Sequence, residues 1–360
     1  MKYPAFLNFL PSANYRFAKL VALAAAVVSL VSLAFLLSAN SQTRPRTTSA
    51  AANSNVSGGT DEIVKVDVDL VTVDALVLEK ETARVVGDFQ KGDFVISEDG
   101  VKQTITHFSQ DSLPLSVLLL VDRGGCLDPF GTEVRAAARD AIARLKPTDE
   151  VALMTYHNDV ELLQAFTRDR GLISAALDRV PPHDEEARHC LNKAFAEASS
   201  YLEHAGNPIG RRVIIVVTGV TRDFDCDGGL SAKAASQAVY ESGAVVSAIL
   251  PKSGEQTMEN GFMRWATRLG KLGGASYIDI QTLANETGGE ILQDKPENLD
   301  TTFATLISHL RTRYNLAFVS TNRKRDGTTR KLKIEMARSA QKSKRKLIVK
   351  ARRSYVAPKS

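Results

Sequence analysis

The chain has 360 residues with ordinary apolar content (44% hydrophobic), long enough for one sizeable core and one smaller domain after a targeting segment. Its formal charge of +5 hides an uneven distribution. Residues 1–60 hold five Lys/Arg and no acid, and residues 321–353 hold fourteen Lys/Arg against Asp326 and Glu335, so an acidic body carries a basic tail.

From the amino end, Leu20 to Leu37 is a charge-free run of eighteen residues behind Arg16 and Lys19. That length is at the lower edge for a bilayer span, and the basic flank predicts a cytoplasmic amino terminus with an exported body. A cleaved signal peptide ending near Ala39-Asn40-Ser41 is the rival reading, though the run exceeds the usual signal core. Residues 42–60, rich in Ser, Thr, Ala and Asn, read as a flexible linker.

Structure is predicted from Asp61. Val64, Val66, Val68 and Leu70 alternate with polar residues before the apolar phase flips to Val71, Val73, Ala75 and Val77, a strand with a bend near Leu70. Phe94-Val95-Ile96 and Ile105 to Phe108 read as a hairpin turning on Asp99-Gly100. Ser116 to Asp122 is a short apolar run ending on an acid, the pattern of a strand covered on both faces. Helices are expected over Val134–Leu145, Leu172–Val180, Leu191–Glu203, Ser231–Ser242, Ile278–Glu286 and Leu299–Arg313. Strands fall over Val151–Tyr156, Val160–Phe166, Val213–Thr218 and Ala244–Leu250. Pro251 to Tyr277 fits no element and reads as a surface insertion carrying Trp265. Leu316–Val319, Leu332–Met336 and Leu347–Val349 are strands, with a turn at Asp326-Gly327.

This order predicts an α/β fold: a mostly parallel, doubly wound, Rossmann-like sheet with helices on both faces. A small antiparallel β-domain is expected from the segments flanking it. The predicted divisions are 1–41 (anchor or signal peptide), 42–60 (linker), 61–112 (first β-segment), 113–313 (α/β domain) and 314–360 (second β-segment and basic tail).

Ligands of open parallel sheets bind at the carboxyl ends of the strands, which puts Asp122-Arg123-Gly124-Gly125-Cys126 at the presumptive site. Ser116 to Asp122 and this loop resemble the first strand and site loop of von Willebrand factor A domains. The whole chain resembles the acidobacterial group of A-domain-related proteins. Gly92-Asp93-Phe94, Glu98-Asp99-Gly100, Asn322 to Gly327 and Arg352-Arg353-Ser354-Tyr355 look like that group's flanking motifs. The resemblance implies an Asp-x-Ser-x-Ser loop holding a divalent cation, a threonine from a second loop and an Asp-Gly after a later strand. Here Gly124 and Cys126 stand where the serines would be. Pro181 to Cys190 has no threonine, and Val217 leads into Thr218-Gly219. A hard cation needs about six oxygens. One inherited ligand, Asp122, predicts a degenerate adhesion site without metal or other cofactor, with Asp223, Asp225 and Asp227 the acids nearby.

Three cysteines, Cys126, Cys190 and Cys226, fall in loops at this edge. In an exported chain they predict one disulfide, with Cys126–Cys226 ranked first because their strands should be neighbours and Cys190 as the alternative partner. A zinc site using the cysteines and His189 is a second reading. No nucleophile elbow, zinc-protease helix or phosphate-binding glycine fingerprint is present, so no enzyme is expected.

The functional expectation is a membrane-tethered, extracytoplasmic interaction module that binds an unknown protein without a cation. The binding edge is Asp122, Arg123, Gly124, Gly125, Cys126, Thr218, Asp223, Asp225 and Asp227. The alternatives are an exported thiol or zinc site with redox or metal-dependent activity, and a purely structural envelope component. Lys342 to Lys346 offers a contact for an anionic surface. Nucleic acid is not expected, because an exported chain here lacks interleaved stacking aromatics.

Overall fold

A computed structural model describes residues 70–110, 113–124, 127, 131–182, 189–224, 230–252, 277–340 and 346–359. Its centre is a six-stranded sheet in the order β12-β10-β8-β5-β6-β7. These strands are β5 (Leu115–Asp122), β6 (Glu150–Tyr156), β7 (Val160–Thr167), β8 (Arg211–Val217), β10 (Val245–Pro251) and β12 (Ile291–Asp294). All pair in parallel except β7, which runs antiparallel at the edge.

The unbroken apolar run of β5 follows from burial on both faces. Val117, Leu119 and Val121 enter one core with α1 (Gly131–Ala143), α2 (Arg170–Asp178) and α6 (Leu299–Arg311). Leu118 and Leu120 enter the other with α3 (Leu191–Tyr201), α4 (Ala232–Ser242) and α5 (Ile280–Thr287). Local chemistry sets the helix ends. Asp169 caps α2 by accepting from the Gly171 and Leu172 amides, and Gly243, at φ 71°, ends α4 in a left-handed turn.

Both ends of the chain supply the β-domain, as expected. One sheet runs β15-β1-β13-β4, from β1 (Leu70–Glu79), β4 (Ile105–Ser109), β13 (Tyr314–Val319) and β15 (Leu347–Ala351). The other runs β16-β14-β2-β3, from β2 (Phe94–Glu98), β3 (Val101–Gln103), β14 (Thr329–Met336) and β16 (Ser354–Val356). Their inner faces share one core in which the Phe94 and Tyr314 rings lie 4.9 Å apart. Asp99 (φ 47°) and Gly100 (φ 85°) make the left-handed pair that a two-residue hairpin needs.

Several expectations change. The Asp99-Gly100 hairpin returns as β3 and not as Ile105 to Phe108; those residues cross to the other sheet and pair with β13. The short strand β12 and a small antiparallel pair, β9 (Arg222–Phe224) with β11 (Tyr277–Asp279), are additions. They are too short to show a period. The predicted strand before Leu70, Leu20 to Leu37, Trp265 and Lys342 to Arg345 lie outside the described residues. Among the described residues no helix is long and apolar enough to cross a membrane.

Val66–Ser360 form one compact unit, and Arg211 is a principal tie within it. This buried side chain at the start of β8 meets both oxygens of Asp74 on β1 (2.7 and 3.0 Å), Asn315 Oδ1 on β13 (3.0 Å) and the Leu310 carbonyl at the end of α6. Burying a guanidinium with its carboxylate is tolerable where further acceptors meet its other donors, as Asn315 and the Leu310 carbonyl do here. Arg211→Met is expected to cost about 2 kcal/mol by removing the charged hydrogen bonds to Asp74 and the ties to Asn315 and Leu310, measured by urea denaturation. A loss below about 1 kcal/mol would place the contact in the range of an exposed ion pair.

Candidate functional site

Asp122 ends β5, and parallel register sets its neighbours. It lies opposite Tyr156 on β6, while Val121 opposite Val217 brings Thr218 alongside from β8. The residue is 3% exposed. A carboxylate so placed is costly unless its lone pairs are filled from within the protein.

They are filled. The Gly124 amide donates to Oδ1 at 2.8 Å, Tyr156 Oη donates to Oδ2 at 3.1 Å, and Thr218 Oγ1 donates to Oδ2. His189 Nδ1 lies 2.9 Å from both carboxylate oxygens. Because an ionised carboxylate only accepts, Nδ1 is the donor. Burial pushes the Asp122 carboxyl up, but the hydrogen bond and charge of His189, with the Thr218 and Gly124 donors, outweigh it and hold the group below its ordinary value.

His189 is held in turn by its own segment. It stands immediately before α3, and the next residue, Cys190, donates its amide to the His157 carbonyl at 3.1 Å. Cys190 is also disulfide-bonded. The ring presses on the site loop: a Cβ added at Gly124 would come within 2.4 Å of His189 Cε1 and Nδ1. Gly124, standing where the resemblance places a serine, is therefore the residue that leaves space for the ring.

The structure brings Asp122, Gly124 and Thr218 of the predicted edge together and adds Tyr156 and His189. Asp122 and Thr218 are buried, so neither is itself a contact surface, contrary to expectation. Arg123 is half-buried; its guanidinium donates to the Pro182 carbonyl at 3.3 Å and lies 3.7 Å from Glu161. Gly125, Cys126, Asp225, Cys226 and Asp227 lie outside the described residues, and Asp223 is described only as backbone in β9.

A disulfide at Cys190 excludes the first-ranked Cys126–Cys226 bridge, since three cysteines cannot satisfy both. The strand-neighbour argument behind that ranking ignored the β6–β7 turn, to which the Cys190 amide is tied. The same disulfide consumes two of the three cysteines and leaves at most one thiolate for the zinc shell. From the sequence alone His189 stands only as a zinc ligand. The one available signal was a lone histidine in the loop where the resemblance expects threonine.

These residues do not fit a hard divalent cation. The carboxylate oxygens a metal would use are taken by an imidazole, and no group of three or more His, Cys, Asp or Glu among the described residues could hold a metal.

Residues 117–221, which include Asp122, His189 and Thr218, match the von Willebrand factor type A domain family. No curated protein matches. Among solved structures, a von Willebrand factor type A protein from Catenulispora acidiphila is similar at 10% identity and TM-score 0.41, over 79% of this chain and 73% of that one. An aerotolerance-related membrane protein from Bacteroides fragilis is similar at 14% identity and TM-score 0.39, over 54% of this chain and 98% of that one. The PilB minor pilin from Streptococcus sanguinis is similar at 11% identity and TM-score 0.42, over 57% and 63%.

The lowered Asp122 carboxyl has a consequence for stability. Between its folded value and the ordinary carboxylate value of about 3.9, the folded chain binds fewer protons than the unfolded one. This contribution is complete above the ordinary value and is lost as pH falls through the folded one. Asp122→Asn is expected to flatten the acid limb of stability below about pH 4, read by denaturation at a series of pH values. An unchanged acid limb would mean that folding does not lower the Asp122 carboxyl.

Proposed function

We propose that the chain is a membrane-tethered, extracytoplasmic protein-interaction module with a degenerate metal-ion-dependent adhesion site, of the acidobacterial A-domain-related kind. It acts without catalysis and engages its partner at the carboxyl edge of the sheet with no divalent cation. The observation that carries this reading is His189 Nδ1 at 2.9 Å from both oxygens of Asp122. An ion at an adhesion site serves to neutralise the aspartate and to offer an open coordination position to an acidic partner group. Here a tethered donor fills the first role and removes the second.

Recognition then rests on what surrounds the closed carboxylate. Arg123 borders a cavity of about 210 Å³ walled by Val121, Leu127, Val134 and Leu177. An apolar side chain entering that cavity beside an acid facing Arg123 is the kind of anchor such an edge accepts. Support for the exported location is the charge-free Leu20 to Leu37 behind Arg16 and Lys19. A disulfide at Cys190 agrees with an oxidising compartment.

Partner capture from a cell-envelope extract tests the reading, with and without excess chelator and alongside Arg123→Glu. Capture is expected to survive chelator, to weaken with rising salt and to fall in the variant. Capture abolished by chelator and restored by magnesium would overturn it.

A further inference from the structure

The cavity beside Arg123 carries more information about a partner than its apolar walls alone. Strand alternation puts Leu119 and Val121 of β5 in this cavity and turns the Asp122 carboxylate to the opposite face of the sheet, where Tyr156 and Thr218 donate to it. Asp122 borders the cavity, but its charge is spent on the other side. The remaining charged groups that line it, among the described residues, are the guanidinium groups of Arg123 and Arg135.

Arg123 is partly answered. Its Nη1 lies 3.7 Å from Glu161 on β7 and its Nη2 donates to the Pro182 carbonyl, yet its Nε is buried and has no hydrogen-bond partner. A buried N–H without an acceptor is costly, and a ligand that brings one removes that cost. Arg135 on α1 is half-buried and has no ion-pair partner among the described residues. A Cβ added at Gly131 would lie 3.5 Å from its Nη1, so the guanidinium folds back over the first residue of α1. One cation and one buried donor are left for a ligand, beside aliphatic walls from Val121, Val134, Ala138 and Leu177.

The size of the cavity narrows what that ligand is. At about 210 Å³ it is smaller than the ~300 Å³ at which small-molecule pockets begin, and it suits one side chain. The acceptor and the apolar group must then leave the partner from nearly the same point. In an extended peptide adjacent side chains point to opposite faces, and those two apart are separated by about 7 Å. A terminal carboxylate shares its Cα with the last side chain and meets both demands.

We propose that the partner is held by its carboxyl terminus: a final aliphatic residue such as leucine fills the cavity, and its carboxylate meets Arg123 Nε and Arg135. This rests on the interaction reading above and names the chemistry of the partner it requires.

The test is ¹H–¹⁵N NMR titration of the full chain in non-ionic detergent with acetyl-Gly-Gly-Leu as the free acid, its amide, acetyl-Gly-Leu-Gly and acetyl-Gly-Gly-Gly. The free leucine acid is expected to bind about tenfold tighter than each of the other three, with shifts centred on the amides of Val134, Ala138 and Leu177. Arg135→Gln, altered at a half-buried position, is expected to erase the preference for acid over amide with its melting temperature unchanged. Acid and amide binding alike, an unaffected variant, or shifts centred elsewhere would overturn the proposal. Binding of 4-methylpentanoate as tight as that of the peptide acid would assign the cavity to a free small acid and overturn a protein terminus as its occupant. Capture that survives chelator and falls in Arg123→Glu, with acid and amide peptides binding alike, would sink this inference and leave the interaction reading standing.

Discussion

Asp122 brings a carboxylate to the end of a strand buried on both faces, and that charge must be answered close by. At 3% exposure little water reaches it, and among the described residues the strand ends and the site loop offer the Gly124 amide and the hydroxyls of Tyr156 and Thr218. Hydroxyls and amides fill lone pairs but bring no full charge. His189 brings a group able to carry one, from a loop 67 residues along the chain, and places one nitrogen within reach of both oxygens. Much of the edge follows from this contact.

Gly124 is one consequence. A side chain there would meet the imidazole ring, and the ring cannot yield without leaving the carboxylate, so glycine at 124 and histidine at 189 are steric partners. The anchoring of Cys190 is another. An imidazole placed by a free loop would lose much of its value to the entropy of ordering that loop. The disulfide, the Cys190 amide on the His157 carbonyl and the start of α3 restrict that freedom.

The architecture was legible in the sequence because its signals are local and repeated. Ser116 to Asp122 is a continuous apolar run because β5 has a core on each face, and Asp99-Gly100 marks a hairpin because both residues adopt positive φ. Asp122 was legible as the site residue because parallel sheets present their strand ends there. His189 and Tyr156 were not legible as its partners. One depends on the path of a loop and the other on strand order, and neither leaves a spacing in the sequence. The β9–β11 pair and the return of β3 failed for a related reason: three-residue strands carry no measurable alternation. Of the disulfide expectation only the first-ranked Cys126–Cys226 pairing failed, because strand adjacency says little about where loops go; Cys190, the alternative partner, is bonded.

The central claim is that His189 stands where an adhesion-site cation would stand, and histidine-selective ¹⁵N NMR of the full chain tests it most directly. The account predicts a hydrogen-bonded Nδ1 proton on His189 that is lost in Asp122→Asn and does not move when magnesium or chelator is added. Loss or displacement of that resonance on adding magnesium, with recovery on chelation, would show that an ion competes for Asp122 and would contradict the account.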